Sequence, residues 1–349
     1  MNIAILYNKQ ITYKPEGMIH LAKYVIGVDG GNTKTDYFLF DTEGNYVGSL
    51  KDGTCSHEAM GFEAAETLIN ARIKQLLSKH DLSINDIKAA AFGLAGIDNH
   101  HQQKTFTEII GRMGIPRFAV DNDSFLGIFA GTTKGFGICS INGTGTVAGG
   151  IDPTGGRLQV GGIGYLVGDD AGGAYVAHSG VRAVYDSFFR CGEKTIMAEP
   201  IFKIMGISDP SELMYGIGNT EGQLGSTEVT RIVFAAAGMD DGPALAVLNE
   251  SARQLAKTSA GCARNLKFGD EIEIVMAGSV WVKGESPALF NFYKEHMETF
   301  LPDKKLIFNM LKEPPATGAV LWALSLCGSD CFKREIRQRV VNAVNEHVN

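Results

Sequence analysis

The sequence predicts an α/β protein of two similar lobes, each a mixed sheet flanked by helices, with a ligand cleft between them. Three observations carry this. The chain has 349 residues, beyond the roughly 250–300 at which a single core usually divides. Its predicted elements run as three strands, then strands alternating with helices, and then the order begins again. A glycine-rich turn between apolar strands, residues 30–35 (GGNTKT), returns about 110 residues later at 142–146 (NGTGT), a trace of internal duplication.

In the first half, residues 24–29 form a short apolar run that stops at Asp-Gly-Gly, and 36–41 resume as a second strand. A TEGN turn at 42–45 leads to a third strand at 46–50. Over 62–80, Ala65, Leu68, Ile69, Ile73, Leu76 and Leu77 recur at helical spacing. Strand 88–94, helix 102–113 and strand 118–121 complete this half. In the second half, strands 137–141 and 146–151 flank the second glycine turn. Helices are predicted over 174–189, 227–237, 243–266, 287–299 and 315–326, with strands at 272–277 and 305–308. The expected lobes are residues 1–133 and 134–331, divided near the Gly/Thr/Lys loop at 131–135, and helix 332–349 is expected to pack back on the first lobe. Residues 3–7 are apolar enough for an extra edge strand.

Composition narrows the function. The net charge is −7 and no run of Lys/Arg exceeds two residues, so the basic face that nucleic acid requires is missing. No stretch approaches the ~18 apolar residues of a membrane helix, and residues 1–21 lack the apolar core and cleavage site of a secretion signal. A cytoplasmic protein is expected. The six cysteines are scattered, without zinc-site spacing. The 43 glycines exceed the roughly 7% of an average chain and gather in clusters, as tight turns and backbone approach to a ligand demand.

Two such clusters are hairpin turns suited to phosphate. Gly30 and Gly31 let backbone N–H groups come close to an anion without a Cβ in the way, and Asn32, Thr33 and Lys34 add side-chain donors. Asp29, at the strand end, is placed to hold Mg2+ through water. Neither a Walker A loop nor a strand–GxGxxG–helix unit is present, because a strand follows the turn. Gly143, Thr144 and Gly145 repeat the arrangement in the second half.

Paired hairpins opening two similar halves resemble those of the actin/hexokinase/Hsp70 superfamily. More narrowly, residues 24–326 resemble the BadF/BadG/BcrA/BcrD ATPase family, which includes N-acetylglucosamine kinase. The match runs through GVDGGNTKT at 27–35, NGTGT at 142–146, GGIGYLVGD at 161–169 and MAGSVW at 276–281. The resemblance implies two actin-like (ribonuclease H-like) domains with ATP and Mg2+ held between them. It implies ATP contacts from Thr33 and Thr144, and an adenosine side built from Gly278, Ser279 and the segment from Gly238. It implies transfer to the 6-hydroxyl of an amino sugar, N-acetylglucosamine first, and a possible homodimer.

Phosphorylating a hydroxyl needs a carboxylate to take its proton. Residues 120–124 (VDNDS) put one at a strand end leading into a helix, and the family match places the base at Asp123. The same residue could instead simply N-cap that helix, and Asp121 is the second candidate. Gly162, Ile163 and Asp169 of the glycine loop, and His57 of the 53–57 loop (by default a surface-loop histidine), are the expected sugar contacts. Animal N-acetylglucosamine kinases carry Trp in place of Ile163 and Asn in place of His57, so glucosamine and N-acetylmuramic acid stay open as substrates. So does a different class, an ATPase that activates a partner protein; the cluster-holding cysteines of the electron-activating relatives have no match here.

Overall fold

The structure, a computed structural model, describes residues 23–348; the suggested edge strand at 3–7 lies outside the described residues. The first sheet begins with a meander of β1 (Tyr24–Gly30), β2 (Lys34–Asp41) and β3 (Tyr46–Gly53). Helices α1 (His57–Met60) and α2 (Phe62–Ser78) follow, then β4 (Ile87–Leu94), α3 (His100–Gly111) and β5 (Phe118–Asp121). The strand order is β3-β2-β1-β4-β5. β1 pairs antiparallel with β2 and parallel with β4. It is therefore interior to the sheet, and Val25, Ile26 and Val28 are all buried, which is why it reads as an unbroken apolar run.

Helix α4 (Ser124–Gly131) leads to the second sheet. There β6 (Gly137–Asn142), β7 (Thr146–Ile151) and β8 (Arg157–Gly161) form a second meander. Five helices come next: α5 (Gly173–Phe189), α6 (Ala198–Met205), α7 (Leu213–Leu224), α8 (Thr227–Ala237) and α9 (Gly242–Asn265). β9 (Glu271–Ala277), α10 (Ser279–Lys283), α11 (Ala288–Phe300) and β10 (Lys305–Met310) complete the lobe. The order β10-β9-β6-β7-β8 repeats the first sheet's topology, with two antiparallel and two parallel pairings in the same places.

The chain then returns through α12 (Pro315–Leu326) and α13 (Arg334–His347). α12 packs on β1, β2 and β4 as well as on α4. α13 lies against the β2–β3 turn, where Arg339 donates to Asn45 Oδ1 at 2.7 Å. Arg337 donates to the Ala130 and Thr132 carbonyls, so a cation satisfies the otherwise orphaned C-terminus of α4. No described helix is long and apolar enough to cross a membrane.

The core has three layers. One lies under α2 and α3 on the outer face of the first sheet, and one under α5, α8, α9 and α11 on the second. Between them a shared layer draws on both sheets, with Val25 and Phe38 from one, Cys139 and Val275 from the other, and α4 and α12 in the middle. Several parts of the chain escaped the sequence reading, among them the short helices α1, α6 and α10, the strand β8 and the helix α7. β8 is a five-residue edge strand, half-buried throughout, too short to show alternation. α7 carries Gly216, Gly218 and Gly222, which mask its helical period.

Helices α4 and α12 meet at backbone distance. A Cβ at Gly318 would overlap the Leu126 carbonyl oxygen, and one at Gly27 would stand 2.6 Å from the Val320 nitrogen. Neither neighbour is a side chain that can swing away. Gly318→Ala is therefore expected to cost about 1–3 kcal/mol by overpacking, read as a lowered urea midpoint. An unchanged midpoint would show that the two helices part freely.

Candidate active site

The β1–β2 turn closes with the Gly31 N–H donating to the Lys34 carbonyl at 2.9 Å. Asn32, Thr33 and Lys34 are exposed. Gly30 faces inward, and a Cβ there would strike Cys55 Sγ and a Leu94 methyl. Thr54 donates to the Gly31 carbonyl at 2.9 Å, tying the 53–57 loop to this hairpin. The Lys34 ammonium lies 2.6 Å from the buried carboxylate of Asp36.

The β6–β7 turn is open above Gly143 and Gly145, where a Cβ would meet nothing within 4 Å. Its underside is packed. The Gly173 N–H at the start of α5 donates to the Gly143 carbonyl at 2.8 Å. Gly278, with φ +104°, brings the end of β9 so close that a Cβ would sit 2.5 Å from the Asn142 carbonyl oxygen. A cavity of about 210 Å³ opens here, bringing together Gly143, Thr144 and Ser279 with Thr230, Arg231 and Lys283. Gly238 is not among its lining residues; it caps the far end of α8. The α8 face itself supplies that wall. Arg231 and Lys283 escaped the sequence reading because a single cation on a helix carries no pattern. A larger hollow, about 430 Å³, lies beside β5 and the β7–β8 turn; of the candidate site residues only Asp121, the second candidate base, lines it.

The 121–124 loop joins β5 to α4, with Asp123 close enough to the first hairpin to act on Asp29. Asn122 Oδ1 accepts the Ser124 N–H at 2.9 Å, so Asn122 occupies the first orphan donor of α4. Asp123 has helical backbone angles and makes no side-chain capping bond. Its pKa is pushed up to about 6, first by burial and then by the charge of Asp98, while the backbone N–H groups of Asp123 and Ser124 pull it down. Asp121 turns the other way, buried, with its carboxylate 3.1 Å from Arg157 Nη1. Asp29 is pushed up further, to about 7, by burial and then by Asp123 and Asp36. Lys34 and the Ala316 N–H at the start of α12 pull it down.

His57 is not a surface-loop histidine. It begins α1, buried, stacked on Phe62 with ring centroids 4.4 Å apart and edge-on to Phe106. Burial lowers its pKa, so the ring is neutral at neutral pH. Its Nε2 lies 3.2 Å from the Gln102 amide, while Nδ1 and the neighbouring Ser56 Oγ are buried without partners. The glycine loop has Gly161, Gly162, Gly164 and Gly168 at positive φ, a path that L side chains resist. Asp169 Oδ2 accepts the Ile163 and Gly164 N–H groups at 2.7 and 2.6 Å, so that oxygen holds the loop together. Ile163 is 72% exposed, projecting from the loop into solvent.

No group of three metal-binding side chains occurs among the described residues. A cage for a bare metal is therefore not what these residues build. They fit hydrated Mg2+, which keeps most of its waters and uses one or two carboxylates plus phosphate oxygens. Asp29, crowded by Asp123 and Asp36, would be the carboxylate to hold it through water.

Residues 26–323 match the family model of the BadF/BadG/BcrA/BcrD ATPase family. The chain belongs to that family. Over 309 residues it is 26% identical to the N-acetylmuramic acid/N-acetylglucosamine kinase of Clostridium acetobutylicum, covering 87% of this chain and 99% of that one. Over 201 residues it is 25% identical to the N-acetyl-D-glucosamine kinase of Dictyostelium discoideum, covering 54% and 62%. Among solved structures it is similar to the ROK hexokinase of Thermus thermophilus, with TM-score 0.54, 15% identity and 86% and 97% of the two chains covered. It is also similar to a Chromobacterium violaceum protein proposed to be an N-acetylglucosamine kinase, with TM-score 0.58, 22% identity and 86% and 99% coverage. The BadF-type chain thus has the actin-like fold that its hairpins led us to expect.

The coupling of its two raised carboxyls is measurable. In Asp123→Asn the neighbouring charge disappears, and the Asp29 pKa should fall from about 7, followed by 13C NMR of labelled aspartate. An unmoved Asp29 titration would place the two carboxylates out of each other's reach.

Proposed function

We propose that this protein is a cytoplasmic, ATP-dependent kinase that phosphorylates the 6-hydroxyl of an amino sugar, with N-acetylglucosamine the substrate. The observation that carries the reading is Asp123, an enclosed carboxylate at the end of β5, free of capping duty and charge-coupled to Asp29 of the first hairpin. Family membership and the amino-sugar kinases among the relatives support it.

The two hairpins cradle the β- and γ-phosphates through backbone N–H groups, with the nucleoside in the cavity beside Thr144 and Ser279. Asp29 would hold Mg2+ through water, and the ion would supply charge neutralisation at the phosphate oxygens. Asp123 accepts the proton of the sugar hydroxyl as its oxygen bonds to the γ-phosphorus. The bond to the β-phosphate oxygen breaks, and ADP leaves with that electron pair. The glycine loop shaped by Asp169 and the pocket at Ser56 and His57 flank the sugar, where the unpartnered Ser56 Oγ and His57 Nδ1 suit its N-acyl side. Closure of the lobes near residues 131–135 excludes water, which would otherwise receive the phosphoryl group.

The decisive assay is coupled ADP release with MgATP against N-acetylglucosamine, glucosamine, N-acetylmuramic acid, N-acetylmannosamine and glucose. Stimulation by N-acetylglucosamine is expected. ADP release that no sugar accelerates would favour an ATPase acting on a partner protein. In the sugar-stimulated reaction, Asp123→Asn should lower kcat by at least ~100-fold, the span of general-base catalysis, with ATP binding retained. Because the base must be ionised, kcat/KM for the sugar should fall as pH drops through about 6. Near wild-type turnover in the variant removes Asp123 from this role.

A further inference from the structure

A chain of hydrogen bonds crosses from one lobe to the other at the base loop, and none of the roles above uses it. β8 is the edge strand of the second sheet. Arg157 and Gln159, two positions apart, lie on the same face of it. Arg157 reaches Asp121 of the first lobe at 3.1 Å and stacks over Trp322, 4.6 Å from the ring centroid. Gln159 Nε2 donates to Asp98 Oδ1 at 3.1 Å. The same oxygen accepts Asn122 Nδ2 at 3.0 Å.

Asp98 follows β4, is exposed, and touches every part of the proposed sugar site through one intermediary. Asn122 connects it to Asp123, the next residue. Its own N–H donates to Gln102 Oε1 at 2.9 Å, and the Gln102 amide lies beside His57. Gln159 connects it to the glycine loop, since Gln159 Nε2 also lies 3.5 Å from the Gly161 carbonyl. A carboxylate is suited to this place. One anionic oxygen can accept two amide N–H groups at once in charge-assisted bonds, whereas a methyl group would leave both amides facing an empty position.

We propose that Asp98 is a positioning residue for phosphoryl transfer, joining Gln159 of the second lobe to Asn122 of the first so that Asp123 is held at the acceptor hydroxyl. The proposal rests on the kinase reading. The bonds lie at an exposed edge, so they contribute little to stability and act on geometry. A small displacement of a base is costly to rate even where the fold is intact.

The test compares Asp98→Ala, Asp98→Asn, Gln159→Ala and the double alanine variant. Asp98→Ala and Gln159→Ala should each lower sugar-dependent kcat roughly 10- to 100-fold, with sugar KM and ATP affinity changed much less. The double variant should lose little more than either single one, as members of one chain do. Asp98→Asn keeps an acceptor oxygen in the same position and should recover most of the rate. A role confined to stability predicts a lowered melting temperature with normal kcat for the folded fraction, and additive losses; either result overturns the proposal. The wild-type sugar panel judges the kinase reading separately. A readout free of substrate remains in any case: the 13C carboxyl resonance of Asp123 should move in Gln159→Ala, two links away, and a stationary resonance also overturns the proposal.

Discussion

The close crossing of α4 and α12 is the constraint on which the rest depends. Gly318 lets the two helices touch at their backbones, and Gly27 lets α12 settle equally close on β1. Both helices begin at the cleft. α4 starts one residue after Asp123, and the first turn of α12 offers the Ala316 N–H to Asp29. The spacing of these two carboxylates is thus inherited from a helix contact several residues away. Bulkier residues at the crossing would spread the helices and, with them, the groups at their starts.

That spacing has an electrostatic consequence. Asp29, Asp36 and Asp123 gather in an enclosed space with Lys34 as the cation that offsets them. Burial and the neighbouring carboxylates both disfavour the ionised form of Asp29. Negative charge at this place is therefore unfavourable, which is the setting a hydrated divalent cation would suit. Asp123 is raised as well, by burial and the charge of Asp98, which would suit the base proposed for it.

Much of this was legible in the sequence, and the reasons differ by residue. The hairpins were readable because the turn chemistry is local: glycines bounded by apolar strands leave few other folds. The 121–124 loop was readable in outline, but the division of labour within it was not. Asp123 and Asn122 are both good helix caps, and only the geometry gives the cap to Asn122 and leaves Asp123 free. His57 looked like a loop residue because its aromatic neighbours, Phe62 and Phe106, lie on two different helices. Asp98 and Gln159 could not be found at all, since their bond spans 61 positions and joins a loop to an edge strand. Local chemistry is written along the chain; partnerships across the cleft are not.

The return of the chain has a consequence for how the molecule is made. α12 and α13 follow the whole second lobe in sequence, yet they cover β1, β2 and β4 and brace the β2–β3 turn. On the ribosome, where segments fold as they emerge, the first sheet must wait with its inner face bare while the second lobe is synthesised. The lobe begun first is finished last, and the nascent chain carries an uncovered apolar sheet face for most of its synthesis.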